Sequence, residues 1–315
     1  MFSTDPAVNP TFHDFNFAWL PYCDGASFSG APPRPACPRH TLTQSYVGDL
    51  TTPLVVNGKT LYMRGHRILQ QTLKQLALAN GLAAASEVLV SGDSAGGLST
   101  FLHVDEVAAF FPKARVSGLP DSGFFVDMPD VGDNWHIRSQ FTYIYSMQNA
   151  SHGVNQKCVA AHAPRFADKS KTWPCMFAQY TYPFIKANMY ILNPLADSWQ
   201  LVFVAAPLYD ANYWNGCNPS SFKGCSLDRI ATVADMYSAT LDALKEAQVQ
   251  NGFFTGCVTH VIGISVCLPR IPPPFPSSLT MVVAKYVEQH EDRRFDSASG
   301  GGGVVCGLLV GIGAL

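Results

Sequence analysis

Charge is scarce in this chain. Of 315 residues only 14% are Asp, Glu, Lys or Arg, and the formal net charge is −2. Without a basic excess there is no electrostatic footprint for a nucleic acid or an anionic membrane surface. A C-x-x-C pair is also missing: the nine cysteines stand at 23, 37, 158, 175, 217, 225, 257, 267 and 306, so a zinc site is not expected. The opening Met1-Phe2-Ser3-Thr4-Asp5-Pro6 has neither a basic start nor an apolar run, so it carries no mark of a signal peptide. The tail after Ala298, SGGGGVVCGLLVGIGAL, is apolar but too short and glycine-rich to span a bilayer. We expect the stretch 296–315 to be disordered.

What is present points to a buried interior. Hydrophobic residues make up 47% of the chain, and its length suits one large α/β domain or two small ones; we expect a single domain over 1–295. Nine cysteines exceed what packing needs, and their spacing favours local bridges, Cys217–Cys225 and Cys158–Cys175, with free buried thiols as the alternative. Asn149-Ala150-Ser151 is a glycosylation sequon and agrees with an oxidising compartment.

Strand and helix signals alternate. Phe15, Phe17 and Trp19 alternate as one strand would, ending at Tyr22-Cys23-Asp24-Gly25. Asn57-Gly58 between two apolar triplets predicts a hairpin with a tight I′ turn. A helix is expected from about Arg67 to Asn80, with Ile68, Leu69, Leu73 and Leu76 on its apolar stripe and Gly81 just past its end. Arg115–Leu119, Asn188–Asn193 and Gly252–Cys257 read as strands. The longest helix falls within Cys225–Asn251, with Ser226 as its cap and Ile230, Val233, Tyr237, Leu241 and Leu244 on one face. Another helix is expected from about Ser278 to His290. Residues 120–187 read as an irregular, aromatic-rich insertion too long for a plain connection, forming part of a lid or substrate groove. The alternation predicts a mostly parallel sheet with helices on both faces.

The stretch Glu87–Glu106 carries the chemistry: EVLVSGDSAGGLSTFLHVDE. An apolar strand (Val88, Leu89, Val90) leads into Gly92-Asp93-Ser94-Ala95-Gly96 and then a helix, the strand-turn-helix setting in which G-x-S-x-G has catalytic meaning. Such a turn holds Ser94 up at the strand's carboxyl end as a nucleophile. The Ala95 N–H and the positive end of the helix can then face a developing oxyanion.

A serine hydroxyl needs a histidine to take its proton and an acid to orient that histidine. In this fold type the order is Ser, Asp/Glu, His, each at the end of a later strand. His13, His40 and His66 come too early, and His103 lies on the helix after Ser94. His136, His152 and His162 lie in the insertion, and His290 ends a helix. Only His260 follows directly on a late strand. For the acid, order and spacing favour Asp197, after Tyr190-Ile191-Leu192-Asn193, with Asp121 as the competitor. An Asp at a strand end is as often a cap or turn former.

The chain resembles the pectin acetylesterase family, which includes the Notum carboxylesterases. Matching stretches are Tyr22-Cys23-Asp24-Gly25-Ala26-Ser27-Phe28-Ser29-Gly30, Leu61-Tyr62-Met63-Arg64-Gly65 and Ser91-Gly92-Asp93-Ser94-Ala95-Gly96-Gly97-Leu98. Further on come Asp121-Ser122-Gly123-Phe124-Phe125, Ile191-Leu192-Asn193 through Asp197-Ser198-Trp199-Gln200, and Cys257-Val258-Thr259-His260. The resemblance implies a three-layer, α/β-hydrolase-like fold with Ser94, Asp197 and His260 as the triad, and raises Asp197 above Asp121. It also implies an extracellular or cell-wall, disulfide-bonded enzyme that needs no metal or other cofactor. Two departures stand out. The family's N-terminal Gly-Gly-Gly-Trp-Cys stretch, which supplies further oxyanion donors, has no counterpart, so Met1 is expected to be an internal start. Asp93 and Val261 stand where plant members carry cysteines.

These residues predict a serine carboxylic-ester hydrolase acting on an O-acetylated polysaccharide such as pectin, as a monomer, with no nucleic-acid partner and no membrane span. A lipid-ester deacylase of the Notum type, a peptidase using the same triad, and a non-catalytic carbohydrate-binding relative are the alternatives.

Overall fold

The computed structural model describes residues 5–7, 12–21, 49, 51–165, 171–207, 210, 212–262 and 307–312. In chain order the elements are β1 (Asn16–Pro21), β2 (Leu54–Val56), β3 (Lys59–Leu61), α1 (Gly65–Ala79), β4 (Glu87–Asp93), α2 (Ala95–Phe110) and β5 (Arg115–Asp121). Then follow α3 (His136–Met147), α4 (Gln156–His162), α5 (Ala178–Thr181), β6 (Asn188–Met189), β7 (Ile191–Asp197), α6 (Ser198–Gln200), α7 (Leu227–Glu246), β8 (Gly252–Thr259) and β9 (Gly307–Ile312).

Seven strands form one sheet in the order β1-β9-β4-β5-β7-β8, with β6 also pairing β5. From β4 to β8 every pairing is parallel, as the strand–helix alternation predicts. The carboxyl ends of β4, β5 and β7 therefore converge on one rim, where an open α/β sheet places its ligands. Helix α2 is buried on most sides, with Leu98, Phe101, Leu102, Val104 and Val107 among its buried residues, and it packs against β4 and β5. A helix this rich in apolar residues belongs largely inside a fold. Helix α7 packs on β7, burying Val233, Met236, Ala243 and Leu244, with Tyr237 and Leu241 half-buried as its stripe predicts.

Local signals hold where they are strong. Asn57 and Gly58 both take positive φ, +51° and +73°, and close the β2–β3 hairpin. Gly81 follows α1 at φ +78°. Within α1, Leu69 and Leu73 are buried but Ile68 is 43% exposed, so the stripe is narrower than expected. The Ser226 hydroxyl accepts from Arg229 N and caps α7.

Two expectations are corrected. Disorder is what the glycine-rich tail suggests, yet Gly307–Ile312 forms β9, antiparallel to both β1 and β4. An uncovered edge of β4 would leave a row of backbone donors and acceptors unpaired, and six tail residues satisfy it. The stretch 120–187 is not irregular throughout. It holds α3, α4 and α5 and contributes Phe124, Phe125, Phe141, Tyr145 and Phe177 to the core. Aromatic content there signals burial rather than irregularity.

Both anticipated local bridges are present, Cys158–Cys175 and Cys217–Cys225, and Cys257 is disulfide-bonded as well. The expected turn Tyr22–Gly25 and helix Ser278–His290 lie outside the described residues. Among the described residues no helix is long and apolar enough to cross a membrane.

Candidate active site

Ser94 stands between β4 and α2 at φ +56°, ψ −119°, a positive-φ conformation that a non-glycine residue adopts only when its surroundings enforce it. The enforcement is visible. Ser94 N donates to the Asp121 carbonyl at 2.8 Å, and the Ser94 carbonyl accepts from Leu98 N at 3.0 Å. Close backbone packing adds to this: a Cβ on Gly97 would lie 2.5 Å from the Asp121 carbonyl oxygen. One on Gly123 would lie closer still to the backbone of Gly97 and Leu98. Two glycines thus let α2 start against the end of β5.

The three residues expected to act together do meet. Ser94 Oγ donates to His260 Nε2 at 2.8 Å, and His260 Nδ1 donates to Asp197 Oδ2 at 2.7 Å. Asp197 is fully buried at the end of β7, and its other oxygen accepts from Gln200 N at 2.9 Å. It therefore caps α6 and orients the imidazole at once. Asp121, the competing acid, lies at the same rim without bonding the ring; its Oδ1 accepts from Ile262 N at 2.9 Å. Ala95, the expected oxyanion donor, is the first residue of α2 and is buried beside Ser94. Its N–H lies at the positive end of a 16-residue helix.

Electrostatics at the rim favour a charged imidazole. Burial alone would lower the His260 pKa, but the hydrogen bond and charge of Asp197, with Asp121 and Asp93 adding to them, raise it. Asp93 moves the other way from a normal carboxylate. Burial, then the nearby Asp121 charge, push it up from 3.8 to about 6, against the opposing pull of its backbone hydrogen bond and of His260.

Residues 122–127 are buried yet belong to no strand or helix, so their backbone donors need side-chain partners. Asn193 Oδ1 accepts from Phe124 N, Gln200 Oε1 from Val126 N, and Gln179 Oε1 from Asp127 N. Beside the imidazole stand large rings. Trp199 lies 6.4 Å from His260, 5.4 Å from Phe125 and 5.1 Å from Phe203, between ring centres. Sequence reasoning names none of Ser122, Gly123, Asn193, Trp199 or Gln200 for a role. Only the Asp197–Gln200 spacing, that of a helix cap and its third residue, carries a local signal.

Other histidines have other partners. His66 and His103 both bond Glu106, and His136 bonds Asp130. Cys158, His162 and Cys175 are the one cluster among the described residues close enough to ligate a metal, and both sulfurs are joined in the disulfide.

Known proteins resemble this chain. A profile of the family described as Pectinacetylesterase matches residues 1–267. Over 264 residues the chain is 30% identical to "Pectin acetylesterase 5" of Arabidopsis thaliana, covering 82% of this chain and 55% of that protein. It is 27% identical over 210 residues to the palmitoleoyl-protein carboxylesterase NOTUM of Mus musculus, covering 63% and 36%. Among solved structures it superimposes on the Wnt deacylase Notum from Drosophila with a TM-score of 0.61 at 19% identity, covering 83% of this chain and 65% of that one, which speaks to the fold. The chain spans little more than half the length of the plant relatives it matches, 55% and 60% of two of them.

Proposed function

The chain belongs to the pectinacetylesterase family, and from that premise we propose that it is a serine carboxylic-ester hydrolase in which Ser94, His260 and Asp197 act as nucleophile, base and orienting acid. The observation that carries this reading is the unbroken relay from Ser94 Oγ to His260 Nε2 (2.8 Å) and from His260 Nδ1 to Asp197 Oδ2 (2.7 Å). As Ser94 Oγ attacks the acyl carbon, its proton passes to His260 Nε2. The new O–C bond leaves a tetrahedral oxyanion, which the Ala95 N–H and the α2 terminus stabilise. Collapse breaks the ester C–O bond, and His260 returns the proton to the departing alcohol. Water then repeats the sequence on the acyl-serine and releases the acid. Asp197 keeps the Nδ1 proton in place and stabilises the imidazolium that forms twice per turnover.

We assign the acyl group to the short class, an acetyl ester on a polysaccharide. What supports it is the matching family's description as Pectinacetylesterase, with the large rings of Trp199, Phe125 and Phe203 standing together beside the imidazole. Two disulfides, together with a sequon whose Asn149 is exposed on a left-handed turn, support an extracellular or cell-wall location. The test is a p-nitrophenyl ester series, acetate to octanoate, on the chain and its Ser94→Ala variant. Turnover should be greatest on acetate and fall by about 10⁴–10⁶ in the variant. Equal rates in the two proteins would end the esterase reading. A preference for octanoate would leave the triad standing and replace the acetyl assignment with a lipid-ester one.

A further inference from the structure

Asp121 ends β5 and Ser122 follows it. Neither belongs to the Ser94–His260–Asp197 relay, yet together they bond the segments that carry all three of its members. The Asp121 carbonyl accepts from Ser94 N at 2.8 Å, and Ser122 N donates to the Leu192 carbonyl on β7 at 2.8 Å. Their side chains serve the third segment. Ser122 Oγ accepts from Val261 N at 2.9 Å while donating to Asp121 Oδ1 at 2.8 Å. The same Asp121 Oδ1 accepts from Ile262 N at 2.9 Å. Asp121, Ser122 and Val261 are 8%, 1% and 3% exposed, so water competes little for these bonds.

The loop after β8 needs this help. The strand stops at Thr259, and Val261 sits at φ +65°, a left-handed conformation that strains a β-branched residue. Such a conformation costs on the order of 1–3 kcal/mol and persists only where neighbours over-determine it. Capture of two consecutive backbone N–H groups does that, and it fixes the residue next to the catalytic base. Ser122 is itself left-handed at φ +50°, which turns its hydroxyl toward Val261 N.

We propose that the Asp121 carboxylate and the Ser122 hydroxyl form a clasp that positions His260, holding its imidazole between Ser94 Oγ and Asp197 Oδ2. The effect on rate rests on the esterase reading; the clasp itself does not. The sequence pattern makes Asp121 a rival to Asp197 for the triad, and the clasp gives it a separate task. Its charge contributes as well. The carboxylates that face His260 are Asp197 from β7, Asp121 from β5 and Asp93 from β4, and each favours the imidazolium.

Two variants separate position from charge. Ser122→Gly removes the hydroxyl while easing the left-handed backbone. Asp121→Asn keeps an acceptor oxygen and removes the charge. In Ser122→Gly, kcat on p-nitrophenyl acetate should fall roughly 10- to 100-fold, the scale of a small misplacement of a catalytic group, with KM within about twofold of wild type and the fold retained by circular dichroism. In Asp121→Asn the acid limb of kcat/KM should move to lower pH, because the base has lost a supporting negative charge; Ser122→Gly should leave that limb in place. Proton NMR follows the same loop without a substrate: the far-downfield Nδ1–H signal of His260, bonded to Asp197, should shift or broaden in Ser122→Gly. The clasp is overturned if the folded Ser122→Gly variant keeps wild-type kcat and an unchanged imidazole signal, or if the loss appears in KM alone. A wild-type chain inert on every ester, whose imidazole signal still changes in Ser122→Gly, would sink the esterase reading and leave the clasp standing.

Discussion

At Ser94 the chain makes most of its own geometry. Strand, tight turn and helix are contiguous, and seven residues, Gly92 to Leu98, contain the proposed nucleophile, the proposed oxyanion N–H and the glycine that permits close packing. At His260 almost nothing is local. The imidazole is placed by Asp197 from β7 and its loop by Asp121 and Ser122 at the end of β5, far away in sequence. One end of the site is therefore a motif and the other an assembly. The first should tolerate distant change and fail under small local ones, while the second should respond in grades to substitutions at several separate positions.

The comparison breaks first at Asp197. Replacing it by Asn leaves the shape but permits the wrong imidazole tautomer, so kcat should fall by about 10⁴. Asp121→Asn, at the same rim, should cost far less. Equal losses in steady-state kinetics would mean that the relay and the clasp cannot be told apart and that Asp121 shares the acid's role.

Gly97→Ala tests the local end. Its Cβ would meet the Asp121 carbonyl oxygen at 2.5 Å, and backbone on both sides leaves little room to yield. Overpacking of this kind costs about 1–3 kcal/mol. The melting temperature should drop by several degrees and kcat with it, since Ser94 N bonds that same carbonyl. An Ala variant that melts and turns over like wild type would show that the elbow does not need this approach.

That contrast also explains how much the sequence reveals. G-x-S-x-G is legible because its meaning lies in adjacent residues. Asp197 and His260 are legible because chain order along a parallel sheet restricts which strand ends can face Ser94, and the family resemblance then separates Asp197 from Asp121. Ser122, Gly123 and Asn193 fall in family-matching stretches, but neither adjacency nor chain order gives them a role. A serine or an amide side chain acquires a role only when a backbone donor from a distant segment arrives beside it, as Phe124 N does at Asn193 Oδ1. The tail shows the same limit. GLLVGI looks too glycine-rich to order alone, and the demand for a strand comes from the open edge of β4.

The smallest expected effect is the most specific. Asp93 ends β4 directly opposite Asp121 on β5, and burial with that neighbouring charge raises its pKa to about 6, from 3.8. Between those values the folded chain binds more protons than the unfolded one. Stability therefore falls as pH rises through the window and stays depressed above it. Asp93→Asn removes the penalty. At about pH 8 the variant should be more stable than wild type by roughly 1–2 kcal/mol, a figure reduced for the part of the side chain that faces solvent, and the gain should vanish below about pH 4. Activity should move as well. With one fewer negative charge near His260, the base loses its proton more easily and the acid limb of kcat/KM shifts to lower pH. Urea melts at the two pH values read the first effect and a pH–rate profile the second. A variant no more stable at about pH 8 would mean that Asp93 keeps an ordinary carboxylate pKa beside Asp121. A stabilised variant with an unmoved acid limb would mean that its charge does not reach the imidazole, leaving the support of His260 to Asp197 and Asp121 alone.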